Sequence, residues 1–231
     1  MDCDLPRSVM VYAAGFGTRM KALTREMPKP MIPVAGRPLI DHTLDLARAV
    51  DPERIVVNTH YKAAMLQDHL APQEVLISDE QPAILDTGGG LRHALPLLGD
   101  GPVYTSNSDA IWAGPNPFQM LRAAWDPVRM DGLMLCVPLA RAVGRQGGGD
   151  FSADATGRIS WSGDLVWGGV QILKTDGLRA IDEAAFSTRL LWNPMIEAGR
   201  LLALEYPGHW CDVGHPEGIT LAEQMLAGAH V

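Results

Sequence analysis

Short apolar runs alternate with amphipathic stretches along the first half of this 231-residue chain, and no other feature limits its possible folds as strongly. Residues 9–14, 55–57, 75–77 and 103–106 are short and apolar enough to form buried strands. Apolar residues recur at helical spacing over 38–50 and 61–70. Strands that alternate with helices build a parallel sheet covered on both faces. The sequence therefore predicts a Rossmann-like α/β fold with a mixed, mostly parallel sheet.

The second half of the chain is predicted to extend this sheet and to add a small hairpin. Strands are expected at residues 132–137, 166–173 and 201–206, the second of them interrupted by Gly168 and Gly169. Residues 151–153 and 158–161 alternate around a turn, which is typical of a β-hairpin and indicates a small flap. Helices are expected at 117–125, 175–185, 187–198 and 216–227. The length suits one domain, 1–231.

The turn after the first predicted strand has the composition of an anion-binding loop. Gly15 and Gly17 interrupt the strand, and glycines let backbone N–H groups turn inward on an anion. The loop is expected to stay irregular as far as Pro30. Four cations follow within eleven residues, beside a single acid: Arg19, Lys21, Arg25 and Lys29, with Glu26 as the acid. We interpret this loop as a cradle for a triphosphate.

Other interpretations of this loop have to be weighed. A Gly-x-Gly pair after a strand is common, and no third glycine follows at the spacing of the dinucleotide-binding fold. The loop is not a P-loop, because no Gly-Lys-Ser/Thr closes it. A cluster of basic residues is also typical of a solvated surface. The glycine pair alone therefore does not establish a phosphate site.

Charge and cysteine content exclude several classes of protein. The net charge is −8, from 27 acidic and 19 basic residues, whereas nucleic-acid partners require a broad basic surface. Only four lysines occur, and two of them, Lys21 and Lys29, lie in the glycine loop. Cys3, Cys136 and Cys211 are too widely spaced for a disulfide framework or a zinc site, so we expect reduced thiols.

The hydropathy pattern predicts no association with a membrane. No apolar run is long enough to cross a bilayer, and residues 1–8 lack a basic segment followed by an apolar one. We therefore expect a cytoplasmic protein without a membrane or nucleic-acid partner.

Three polar segments each follow a predicted strand. In parallel sheets the carboxyl ends of the strands share one edge, so the glycine loop, residues 78–90 and residues 107–109 should meet there. Gly88, Gly89 and Gly90 are expected to precede a helix that begins near Leu91, where a base or phosphate could approach backbone donors. A simple helix entry capped by Asp86 or Thr87 is the alternative.

Four motifs, taken in order, resemble the signature of the sugar-1-phosphate nucleotidyltransferases, and the resemblance spans nearly the whole chain. The motifs are Gly15-Phe16-Gly17-Thr18-Arg19-Met20, Pro28-Lys29-Pro30, Val34-x-Gly36-x-Pro38-Leu39-Ile40 and Trp210-Cys211-Asp212-Val213-Gly214. The resemblance implies the nucleotide-diphospho-sugar transferase fold. It also implies an Mg²⁺-dependent enzyme that condenses a sugar 1-phosphate with a nucleoside triphosphate, with UTP expected, and releases pyrophosphate.

The resemblance implies roles for particular residues. Asp109 and Asp212 match the aspartates that bind Mg²⁺, and Asp109 would act in catalysis with Arg19 and Lys29. In the family a glycine precedes the first aspartate, and Ser108, which replaces it here, fits if its φ is negative. Asp150 and Gly169 are expected to contact the sugar. The expected nucleotide contacts are Ala14, Gly15, Gly17, Thr18, Arg19, Lys29, Gln81, Thr87, Gly88 and Asn107.

The choice of sugar and base is less constrained. Gly149-Asp150-Phe151 resembles the muramate-specific branch of the family, which implies N-acetylmuramate 1-phosphate as the sugar substrate. Residues 1–138 would then bind the nucleotide and 139–231 the sugar. The alternatives are mannose 1-phosphate with GTP, phosphocholine with CTP, and a nucleotide-sugar-binding homologue without turnover. The Glu or Lys pairs of many family members are missing between Asp164 and Gln171, which argues against the larger hexose-1-phosphate enzymes.

Overall fold

The computed structural model describes residues 5–228. Cys3, for which we predict a reduced thiol, lies outside the described residues. The strands are β1 (Ser8–Tyr12), β2 (Pro33–Val34), β3 (Arg37–Pro38), β4 (Arg54–Thr59), β5 (Leu76–Asp79), β6 (Val103–Asn107), β7 (Ala110–Ala113), β8 (Gly132–Pro138), β9 (Ala142–Val143), β10 (Phe151–Ala153), β11 (Ile159–Trp161), β12 (Leu165–Leu173), β13 (Leu201–Glu205) and β14 (His209–Asp212). The α-helices are α1 (Leu23–Glu26), α2 (Leu39–Arg48), α3 (Ala63–Leu70), α4 (Asp86–Leu98), α5 (Pro117–Ala124), α6 (Arg189–Glu197) and α7 (Pro216–Gly228).

The central sheet contains nine of these strands. Its core is parallel, in the order β6-β1-β4-β5. β12 pairs antiparallel with β6 and with β8, and β13 runs parallel to β8. The β10–β11 hairpin continues the sheet beyond β12. The predicted α/β fold, with a mixed sheet around a parallel core, is confirmed.

Helices cover both faces of this sheet, because alternate residues of each buried strand point to opposite sides. On one face, Val9 and Val11 of β1 belong to a core cluster with residues of α2, α3 and α5. On the other face, Met10 of β1 belongs to a second cluster with residues of α4 and α6. The sheet is therefore the middle layer of the fold, and its strand ends are free to build a site.

A separate three-stranded sheet was not predicted from the sequence. β14 pairs antiparallel with β7 and parallel with β9, and α7 closes it with a third core cluster that includes Ile111, Val213 and Ala222. This sheet brings residues from near the carboxyl terminus beside the end of β6.

Three local expectations were wrong. The glycine loop is not irregular throughout, since short helical turns occupy Thr18–Met20, Leu23–Glu26 and Lys29–Met31. Residues 175–185 form a 3₁₀ helix only over Asp176–Ala180. Gly88, Gly89 and Gly90 lie inside α4 rather than ahead of it.

Within residues 5–228, no helix has both the length and the apolar character needed to span a bilayer.

Candidate active site

A cleft of about 320 Å³ opens at the carboxyl ends of the parallel strands. Its volume lies in the range of small-molecule sites. Residues that follow β1, β5, β6 and β14, together with Asn58 of β4, contribute to its walls. The lining residues are Tyr12, Ala13, Ala14, Gly15, Gly17, Thr18, Arg19, Lys29, Pro30, Asn58, Glu80, Ile84, Asp86, Thr87, Asn107, Ser108, Asp109 and Gly214. The glycine loop, residues 78–90 and residues 107–109, which the sequence placed after predicted strands, thus all contribute to one cleft.

The glycine loop forms one wall, and its backbone requires glycine at one position. Gly17 has φ +61°, and a Cβ there would come within 2.9 Å of both Lys29 and Thr24 side-chain carbons. The Thr24 hydroxyl donates a hydrogen bond to the Gly17 carbonyl at 3.2 Å. The turn is therefore packed directly on Lys29, while Arg19 remains exposed at the cleft.

Lys29 and Asp109 form a close ion pair within the cleft. The distance from Lys29 Nζ to Asp109 Oδ2 is 2.5 Å, and the two side chains are only 11% and 27% exposed. The Ser108 hydroxyl donates to the Tyr12 carbonyl at 2.6 Å, which ties the Asp109 turn to the end of β1. Ser108 does not have a positive φ, so serine is compatible with a position where the family has glycine.

Asp212 comes to the same place through the three-stranded sheet. It lies opposite Ala110 in the β14–β7 pairing, and the Val213 N–H donates to the Asp109 carbonyl at 3.0 Å. Burial, and next the negative charge of Asp109, raise the pKa of the Asp212 carboxyl, while Lys29, Arg19 and Arg145 partly offset this effect. The two aspartates therefore lie beside each other, while their role as metal ligands stays a prediction.

The Asp212 carboxylate has unsatisfied acceptor capacity. Within residues 5–228, no side chain or backbone N–H donates a hydrogen bond to its oxygens, and no ion pair joins it. A partly buried carboxylate beside a second carboxylate needs a compensating positive charge. Two aspartate oxygens of this kind suit a hard divalent cation, with further oxygen ligands from phosphates and water. The described residues hold no cluster of three or more His, Cys, Asp or Glu that would complete a cation site from the protein alone.

A buried polar network supports the opposite wall, and the sequence analysis missed it. Asn58 accepts a hydrogen bond from the Ala13 N–H at 2.6 Å and donates to Glu80 at 2.6 Å. The second oxygen of Glu80, which is 1% exposed, accepts from the Leu85 N–H at 2.8 Å. Because Asn58 and Glu80 lie at the ends of β4 and β5, the rule that identified the other strand-end segments could also have found them.

The glycines of α4 have a packing role. A Cβ on Gly88 would come within 2.4 Å of the Phe186 ring, and one on Gly90 within 2.4 Å of Glu80. Gly88 consequently does not line the cleft, and Thr87 does. Gln81 is exposed outside the cleft, where its amide donates weakly to the His60 carbonyl at 3.5 Å. The predicted nucleotide contacts of Gln81 and Gly88 remain predictions.

The two residues expected to contact the sugar lie outside the cleft lining. Gly169 packs on Asn107, and a Cβ there would come within 3.0 Å of the Asn107 amide nitrogen. Asp150 accepts hydrogen bonds from Arg145 Nη2 at 2.7 Å and from the Trp167 N–H at 3.0 Å. Gly169 thus borders the end of β6, which Asp109 follows. Asp150 is held by Arg145, a residue that the sequence analysis did not identify.

Comparison with known proteins places the chain in a class of enzymes. A family model described as a MobA-like NTP transferase domain matches residues 9–147, and the chain belongs to this family. The nucleotidyltransferase class predicted from the motifs is confirmed.

Two relatives extend the similarity over almost the full chain. The N-acetylmuramate alpha-1-phosphate uridylyltransferase of Caulobacter vibrioides is 40% identical over 97% of this chain and 98% of its own length. The protein of the same name from Neisseria meningitidis serogroup B is 30% identical over 95% of this chain and 98% of its own. Among solved structures, HddC from Yersinia pseudotuberculosis has the same fold, with a TM-score of 0.75, 20% identity and coverage of 95% and 99% of the two chains.

Proposed function

We propose that this chain is an Mg²⁺-dependent nucleotidyltransferase that condenses N-acetylmuramate 1-phosphate with UTP to give a UDP-sugar and pyrophosphate. One observation carries the proposal: Asp109 and Asp212 converge beside Lys29 and the glycine loop, and Asp212 has no hydrogen-bonding partner within residues 5–228. The near full-length similarity to two uridylyltransferases supports the choice of UTP and of the sugar. An enzyme with this activity would serve cell-wall recycling.

The reaction requires one displacement at phosphorus. A phosphate oxygen of the sugar 1-phosphate attacks the α-phosphorus of UTP, the bond to the α,β-bridging oxygen breaks, and pyrophosphate leaves. Positioning and charge stabilisation supply most of the catalysis in such transfers, so no covalent intermediate is needed. The Gly15–Thr18 turn would hold the triphosphate, and Ala14, Thr87 and Asn107 would position the nucleotide within the same cleft.

Two cations of the chain have separate tasks in this scheme. Arg19 is exposed at the cleft, where it would stabilise charge on the departing pyrophosphate. Lys29 is buried and already oriented by Asp109, so it would stabilise the α-phosphate or the incoming sugar phosphate. Asp109 and Asp212 would hold Mg²⁺, which supplies charge neutralisation to the phosphates of both substrates.

The two halves of the single domain would bind different substrates. Residues 1–138 include every cleft residue except Gly214, which supports their role in nucleotide binding. Residues 139–231 would bind the sugar, with Asp150 and Gly169 among the contacts. We infer a cytoplasmic location, because UTP is the expected co-substrate.

A matrix of substrates tests the proposal. The purified protein is mixed with each of four nucleoside triphosphates, with Mg²⁺, and with N-acetylmuramate 1-phosphate, N-acetylglucosamine 1-phosphate, mannose 1-phosphate or phosphocholine. Pyrophosphate release should be fastest with UTP and N-acetylmuramate 1-phosphate. Faster turnover with GTP and mannose 1-phosphate, or with CTP and phosphocholine, would refute the assignment of substrates. No release from any pair would indicate a binding protein.

A further inference from the structure

Arg145 lies beside the paired aspartates, on the half of the chain assigned to the sugar. Val143 pairs with Cys211 in the parallel β9–β14 contact, so the chain two residues further on runs alongside Asp212 and Val213. Gly144 is packed here, since a Cβ on it would come within 3.3 Å of the Asp212 carbonyl oxygen. Arg145 is thus anchored next to the proposed metal ligand.

The guanidinium of Arg145 is held on one side only. Nη2 donates to Asp150 Oδ1 at 2.7 Å, and Nη2 and Nε both approach the Gly148 carbonyl at 3.3 Å. Asp150 is itself fixed by the Trp167 N–H at 3.0 Å. Nη1 donates no hydrogen bond to any residue in the described range 5–228. The fork is therefore oriented while part of its donor capacity stays free.

The surroundings of Arg145 are not closely packed. The Arg145 side chain is 26% exposed. The adjoining Gly147 and Gly148 have no atom within 4 Å of the position of an added Cβ. A planar guanidinium with free donors matches the geometry of a carboxylate. Among the candidate sugar phosphates, N-acetylmuramate 1-phosphate alone carries a carboxylate, on its lactyl ether group.

We propose that Arg145, positioned by Asp150, binds the lactyl carboxylate of the sugar substrate and selects the acidic sugar over neutral ones. This inference rests on the proposed function, because it assigns a specificity residue for that reaction. Arg145 contacts the lactyl carboxylate in this account, and Asp150, which is also proposed to contact the sugar, orients the Arg145 guanidinium.

The test compares two substrates that differ at one group. They are N-acetylmuramate 1-phosphate and its lactyl carboxamide, which keeps the size and the phosphate but loses the negative charge. The wild-type protein should favour the acid by about 10- to 100-fold in kcat/KM, mainly through KM, as expected for a charge-assisted hydrogen bond. Arg145→Met should lower kcat/KM for the acid and leave kcat/KM for the carboxamide unchanged, so that the ratio of the two falls to about one.

Two further variants control the interpretation. Arg141 lies four residues earlier and is paired with Glu205 at 3.8 Å, so Arg141→Met removes a nearby cation and should preserve the preference. Arg145→Lys keeps the charge without the planar fork and should retain only part of the preference. If Arg145→Met does not fold, as judged by thermal unfolding, Arg145→Lys carries the test.

The outcomes separate this inference from the proposed function. Equal turnover of acid and carboxamide by the wild type, or an equal loss on both substrates in Arg145→Met, would overturn the role of Arg145 while the uridylyltransferase assignment stands. An equal loss would instead indicate contact with the phosphate that both substrates share. Absence of wild-type turnover of N-acetylmuramate 1-phosphate would overturn both.

Discussion

Asp131 and Asp212 are both partly exposed aspartates at the edges of sheets, but their surroundings differ in kind. Asp131 accepts hydrogen bonds from Lys174 Nζ at 2.9 Å and from Arg200 Nε at 2.5 Å. The Arg200 guanidinium, followed by Lys174, holds the pKa of Asp131 below its ordinary value. The pKa of Asp212 is raised by burial, and its oxygens have no hydrogen-bonding partner within residues 5–228.

The two aspartates also lie at opposite ends of the strands of the central sheet. β12 is antiparallel to both β6 and β8, so β8 runs in the same direction as β6. Asp131 precedes β8 and therefore lies at the amino-terminal edge, away from the cleft at the carboxyl ends. An aspartate that stabilises the fold is neutralised by its own chain. The charge of Asp212 has no such partner among the described residues and is available to the proposed Mg²⁺.

The largest effect should follow the loss of Asp109. Asp109→Ala removes a proposed metal ligand and leaves Lys29 without its carboxylate partner, so turnover should fall by 10³-fold or more, on the order of several kcal/mol of lost charge stabilisation. The rate of pyrophosphate release under saturating Mg²⁺ measures this loss of turnover. Normal Mg²⁺-dependent activity in this variant would contradict the proposal that the aspartates of the cleft bind metal while Asp131 only stabilises the fold.

Arg19→Ala should have the next largest effect. Its guanidinium is exposed at the cleft and is expected to stabilise the leaving group in the transition state, so kcat should fall by roughly 10²- to 10³-fold. The thermal midpoint should change little, since Arg19 forms no ion pair within the described part of the chain. Arg37→Ala is a suitable control, because Arg37 is paired with Asp45 on the surface. Near-normal kinetics for Arg19→Ala would make it a simple surface residue.

Asp131→Asn should give the smallest effect on rate and a measurable effect on stability. Loss of the charged acceptor for Lys174 and Arg200 should lower the free energy of unfolding by about 1–2 kcal/mol at neutral pH, with kcat unchanged.

The pH dependence of this stability difference has a definite sign. The folded pKa of Asp131 is below the unfolded value of about 3.9, so its stabilisation is present above that pH and is lost as the pH falls through the folded pKa. Denaturant unfolding of wild type and Asp131→Asn at neutral and acid pH measures the difference. A gap that stays constant or grows toward acid pH would contradict the assigned role.

Features that depend on local pattern could be predicted from the sequence. The buried strands are continuous apolar runs, and their carboxyl ends brought the glycine loop, Asn107 and Asp109 into one cleft. Asp212 required more than local pattern. Only the resemblance of its motif to a family indicated that it would meet Asp109, because the short strands β7, β9 and β14 form through pairing between distant segments.

Features that depend on tertiary contact could not be predicted. Three glycines have low helix propensity, so the local sequence favours a loop at residues 88–90. In the structure α4 includes them, and Phe186 and Glu80 occupy the space that side chains on Gly88 and Gly90 would need. Residues beyond Ala180 likewise leave the helical conformation, where Arg92 donates to the carbonyls of Ile181 and Glu183.

The role of the paired carboxylates is tested most directly by nucleotide binding with and without Mg²⁺. Calorimetric titration with a non-hydrolysable UTP analogue should show tighter binding with Mg²⁺ in the wild type and in Asp131→Asn. Asp212→Asn should lose this Mg²⁺ dependence and be at least as stable as the wild type without metal, because it removes a partly buried charge beside Asp109. An Asp212→Asn variant that keeps the full Mg²⁺ enhancement of binding would contradict the account.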